Sequence, residues 1–167
     1  MKNFLRVLYR IVAGVIVITL GLSTVSAGVL SSLSDTMSSV KVNALSNHTF
    51  VFTTPTGIGA GSTTIFTFPN SFSIPVGLTF ADVDISTSTG QVTLASVPFG
   101  KTFGVVRTSA NVLTITSSSS EVIPPGTSVT VKIGTNATFQ SVGTFQITND
   151  SSVGNKPIGI TGSFGDY

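Results

Sequence analysis

Thr49-Phe50-Val51-Phe52-Thr53 and Ile65-Phe66-Thr67-Phe68 decide the fold class of this chain. In each, aromatic side chains recur at every second position, the period of a strand with one face against a core. Phe50, Phe52, Phe66 and Phe68 are therefore expected to point inward from two strands. The pattern continues on both sides. Val40 to Val42, Leu78 to Ile85, Gln91 to Leu94, Thr102 to Arg107, Val112 to Thr116, Ser128 to Ile133, Thr144 to Thr148 and Ile158 to Thr161 are short β-branched or aromatic runs bounded by Gly, Pro, Asn and Ser. Together these make about ten strands.

Beyond the first 27 residues no window places apolar residues at i, i+3, i+4 and i+7 among helix formers, so helices are expected to be minor. Without helical crossovers, parallel pairing is not expected. Many short strands with nothing to cover a sheet leave two antiparallel sheets face to face. The expectation is an all-β fold, an antiparallel β-sandwich, immunoglobulin-like or jelly-roll-like, with about eight to ten strands, preceded by an apolar N-terminal signal or anchor helix.

That N-terminal segment, residues 1–27, carries Lys2, Arg6 and Arg10, then an uncharged run from Ile11 to Leu22, then Val25-Ser26-Ala27. A cationic start, a short apolar stretch and small residues at −3 and −1 mark an export signal cut between Ala27 and Gly28. The rival reading is a retained anchor, since Ile11 to Leu30 is uncharged and just long enough to span a bilayer. Residues 28–39, rich in serine, read as a linker or arm, and 40–167 as the β-sandwich domain.

The leader also explains the charge balance. After Ala27 five basic residues face six acidic ones, a net charge of −1, with no cationic cluster to neutralise phosphates, so nucleic acid is not an expected partner. The chain has no cysteine. Disulfides, thiolate metal sites and thiol catalysis are thereby removed, and stability is left to apolar burial and sheet hydrogen bonds.

Few residues suggest chemistry. His48, the single histidine, reads as an ordinary surface residue in a turn, because no G-x-S-x-G elbow exists to build a hydrolase triad around it. Asp82 and Asp84 flank Val83, which on a strand puts both carboxylates on one face; they are weak Ca²⁺ candidates, and the neighbouring-charge reading of a polar face stands beside that. Gly57-Ile58-Gly59-Ala60-Gly61 precedes a strand rather than a helix and so reads as a hairpin connection, not a phosphate loop. Ser117 to Ser120 reads as a solvated loop. The sequons at Asn47, Asn136 and Asn149 are weak in a chain so rich in Ser and Thr. No catalytic residue, resident metal or cofactor is expected.

Ser34 to Val42, Asn47-His48-Thr49, Phe66 to Pro69, Ile133 to Phe139 and Ile158 to Asp166 together resemble secreted immunoglobulin-like modules found at the start of cell-surface proteins of uncultivated small-genome bacteria. The resemblance spans Ser34 to Asp166 and implies a cell-envelope β-sandwich without catalytic or ligand residues. Such modules head longer chains, whereas this one ends at Tyr167 with no LPxTG-like sorting signal. The function expected is an exported, extracellular or cell-surface, non-enzymatic structural or adhesive module, self-associating through its N-terminal arm or binding a protein partner. A carbohydrate-binding module is the alternative, weakened by the absence of Trp, and a secreted hydrolase the minor one. Membrane contact follows only if residues 1–27 are retained.

Overall fold

Strict alternation of burial builds the two phenylalanine strands. The computed structural model describes residues 28–163, and in it β3 (His48–Thr54) buries His48, Phe50, Phe52 and Thr54 while the residues between are half-buried. Its partner strand β10 (Thr127–Ile133) alternates in the same way, with Val129, Val131 and Ile133 inward. Between and around them, in chain order, come β1 (Ser31–Met37), β2 (Leu45–Ser46), β4 (Thr63–Thr67), β5 (Val83–Thr87), β6 (Gly90–Val92), β7 (Leu94–Ala95), β8 (Phe103–Ser109), β9 (Val112–Thr116), β11 (Ile147–Thr148) and β12 (Gly159–Gly162).

Two five-stranded sheets face each other, one ordered β1-β3-β10-β5-β6 and the other β12-β4-β9-β8-β7; β2 and β11 form a separate pair. Phe66 of β4 is fully buried, 5.0 Å from the Phe50 ring and 6.3 Å from the Phe52 ring of the opposite sheet. Leu113, Ile115, Val105 and Ile160 complete that side of the core. This nearly all-β, antiparallel arrangement is consistent with a β-sandwich. The expected leader, residues 1–27, lies outside the described residues, as do Phe164 to Tyr167.

Several local expectations differ. Residues 28–39 are not a loose arm: Ser31–Met37 is β1, paired antiparallel to β3, and Leu30 is buried in the core. Serine disguises it, because an edge strand with most side chains in solvent needs little apolar patterning. Val40 to Val42 is a bend, turned by Asn43 at φ 54° and held by the Asn149 side chain, whose Nδ2 donates to the carbonyls of Ser39 (2.8 Å) and Lys41 (3.0 Å). Leu78 to Ile85 is broken by a 3-10 turn, Phe80–Asp82, capped by the Thr79 hydroxyl. One pair, β7 with β8, is parallel, over two residues only. The glycine segment 57–61 is an arch rather than a hairpin, since β3 and β4 lie in opposite sheets. Backbone bonds of 2.9 Å in both directions between Ile58 and Ile123 pin it, and Gly57, at φ 80°, sits where a Cβ would lie 2.5 Å from the Ile123 carbonyl oxygen.

Candidate functional site

Asp82 and Asp84 are buried, not displayed on a polar face. Both carboxylates turn to the same segment ahead of β11. Asp84 Oδ2 accepts from the amides of Thr138 (2.6 Å) and Phe139 (3.0 Å), and Asp82 Oδ1 from those of Thr144 (2.7 Å) and Phe145 (2.9 Å). The other Asp82 oxygen accepts from Thr79 N–H at 2.9 Å, closing the cap of the 3-10 turn. Burial alone would raise the Asp82 pKa, but the amides of Phe145, Thr79 and Thr144 together hold it below the ordinary carboxylate range. The environment offers N–H donors where Ca²⁺ requires further oxygen ligands. Among the described residues no three His, Cys, Asp or Glu side chains gather. The pair organises a long loop.

A depression lies elsewhere, along the flank where β1 and β12 end their sheets. A cleft of about 670 Å³ opens there, with Leu33, Met37, Phe72, Val153, Ile158 and Ile160 among its walls. Asp150 stands at its rim as the centre of a polar knot: it accepts from the hydroxyl of Ser71, from Ser152 N–H at 2.7 Å and from Lys156 Nζ at 3.0 Å. The Ser71 hydroxyl foremost, then the Ser152 amide and Lys156, keep its carboxyl well below the usual range against the opposing effect of burial. The knot fixes the 149–157 segment that closes one end of the cleft.

Beneath β1 lies His48, fully buried rather than superficial. Its ring stacks on Phe50 at 5.8 Å and 11°, and meets Phe68 edge-on at 5.3 Å. Nδ1 contacts Asp35 Oδ2 of β1 at 2.7 Å, while His48 Nε2 and Asp35 Oδ1 have no partner. The signal was present in the sequence: His48 is in phase with Phe50 and Phe52, so extending their period by one step places it inside. Nothing local identified Asp35 as the partner.

Ser117 and Ser118 are buried too, against the expectation of a solvated loop. Ser117 Oγ donates to the Gly59 carbonyl at 2.5 Å, tying the arch to the end of β9, and Ser118 Oγ accepts from Glu121 N–H at 2.7 Å, closing the turn that follows. All three sequon asparagines are likewise employed in the fold: Asn47 Oδ1 accepts from Thr135 N–H at 2.8 Å, Asn136 Nδ2 donates to the Thr49 hydroxyl at 3.0 Å, and Asn149 is buried at the bend described above. No family model matches the chain, and no curated protein matches it.

Proposed function

We propose that this chain is an exported, non-enzymatic structural module of the cell surface that joins copies of itself through its N-terminal strand. The observation that carries the reading is β1: a seven-residue edge strand bonded on one side only among the described residues, beginning close behind the expected export signal. Unpaired strand edges are templates for another chain, and strand addition is a general mode of protein recognition. A non-enzymatic role is supported by how the titratable groups are spent. His48 is enclosed with Asp35 under β1, and Asp82, Asp84 and Asp150 are engaged by amides, hydroxyls and one lysine. A hydrolase would need the imidazole beside an accessible serine.

The strand order favours the jelly-roll-like alternative over the immunoglobulin-like one. Reading inward from both ends of the central chain, β3 pairs with β10 in one sheet and β4 with β9 in the other, with β5 beside β10 and β8 beside β9. Those two nested pairs, β3 with β10 and β4 with β9, match the outer pairs of a folded-over hairpin.

A carbohydrate-binding role has one observation in its favour, the exposed Phe99, Phe139 and Phe145 on loops, which offer faces for sugar stacking. Intact mass and light scattering on protein exported from an expressing cell separate the readings. Assemblies of chains beginning at Gly28 are expected. Monomer at every concentration, with a glycan raising the melting temperature, would replace the structural reading with the carbohydrate one.

A further inference from the structure

The geometry points to β1 as an exchangeable strand: the slot beside β3 accepts Ser31–Met37 of a second copy in place of the chain's own, with Asp35 and His48 fixing the register. This rests on the self-assembly reading and goes further by naming slot, latch and hinge.

The slot persists without its occupant. β3 pairs with β10 along its whole length, from Thr54↔Thr127 to His48↔Ile133, so the sheet and the phenylalanine core stay in place when β1 leaves. The strand itself is lightly held. Its ladder to β3 is interrupted between Ser31 and Ser34, Ser32 sits at φ 55°, and Leu33 remains 49% exposed. Leu30 and the partly buried Met37 supply its apolar anchorage.

The latch selects the occupant. β1 supplies the one side-chain hydrogen-bond partner of His48 among the described residues, and an occupant without a carboxylate there would bury Nδ1 unpaired, which is costly. An incoming strand must therefore carry a carboxylate two residues from the Met37 register position, and the same segment of another copy does so by construction. An unrelated apolar strand would leave the imidazole unmatched.

The hinge is the segment Ser38 to Ala44, which joins β1 to β2; it turns at Asn43, φ 54°, and is held in the closed turn by the Asn149 Nδ2 bonds to the Ser39 and Lys41 carbonyls. Since the β1–β3 contacts are the same in the closed and exchanged forms, their balance is set by the hinge bonds given up on opening and by chain concentration.

The test uses the cysteine-free background of the full chain. Thr36 and Thr49 are register partners across β1 and β3. Mixing T36C chains with T49C chains at high concentration, then oxidising, is expected to give a heterodisulfide dimer that increases with concentration. Adding D35A to the T36C chain is expected to lower that dimer about tenfold, because the altered strand competes against an intact one for His48. S34C with V51C repeats the measurement at a second register pair and leaves the Asn136–Thr49 hydrogen bond untouched. Assemblies seen by light scattering without either heterodisulfide would overturn strand exchange while leaving self-assembly intact. No assemblies and no heterodisulfide would overturn both, and an undiminished yield with D35A would remove the latch.

Discussion

Replacing Asp82 by alanine tests whether two buried carboxylates organise the loop ahead of β11. Asp82 accepts three backbone amides within 2.7–2.9 Å, from Thr79, Thr144 and Phe145. Hydrogen bonds to a charged group contribute about 1.5–3 kcal/mol each, and bonds sharing one acceptor group are not additive, so a loss of about 4 kcal/mol is expected for D82A. With a urea slope of about 2 kcal/mol per molar, the unfolding midpoint moves down by about 2 M. D82N keeps the shape and one acceptor oxygen but not the charge, and should lose about half as much. Acid separates these variants further. Because the folded Asp82 pKa is depressed, its contribution is complete above the unfolded value of about 3.9 and disappears as pH falls through the folded value. Wild-type stability therefore declines below about pH 4, and D82N lacks this part of the decline. Urea titrations from neutral pH to about pH 3, with hydrogen exchange at the Thr144 and Phe145 amides, read both effects. A midpoint shift under about 0.5 M for D82A, with those amides still protected, would refute the reasoning.

Two further outcomes are expected. F66A removes the fully buried ring that meets Phe50 and Phe52 across the sheets, and thermal or urea unfolding should show a loss of about 3–5 kcal/mol; a loss under about 1.5 kcal/mol would mean the two sheets do not share this core. G57A should cost more than G126A: both glycines have left-handed φ, 80° and 73°, but a Cβ at Gly57 meets the Ile123 carbonyl at 2.5 Å while at Gly126 it meets nothing within 4 Å. The G126A loss, about 1 kcal/mol, measures backbone strain alone, and equal losses for the two would show that the arch tolerates displacement.

The phenylalanine strands were legible because the period of two is written into their own residues and needs no knowledge of partners. β1 was not, since a strand that buries few side chains has no reason to alternate, and what holds it is a backbone ladder, two apolar anchors and one carboxylate meeting one imidazole. His48 was in phase with the core yet carried a polar ring, and composition alone favoured the surface. The spacing of Asp82 and Asp84 was visible, but apart from Thr79 their partners are main-chain amides more than fifty residues away, and such distant backbone donors have no sequence signature. Ser117 and Ser118 illustrate the same limit: a hydroxyl in a serine run looks solvated until a carbonyl is brought to it. The cleft flanked by β1 and β12 depends on which strands end the two sheets, a property of strand order rather than of any segment.

The two sheets are unequal at their flanks. On one side they end in β6 and β7, strands of three and two residues joined directly through Thr93, which present almost no unpaired backbone; on the other they end in β1 and β12, of seven and four residues. A body blunted on one flank and open on the other cannot stack into a continuous sheet by adding neighbours on both sides, which is the route to disordered aggregates. Under the proposed self-assembly, growth is confined to a single face, so copies meeting there either close as a pair or hand a segment onward in one direction. With so few charges on the chain to keep copies apart, strand edges rather than repulsion would decide how copies meet.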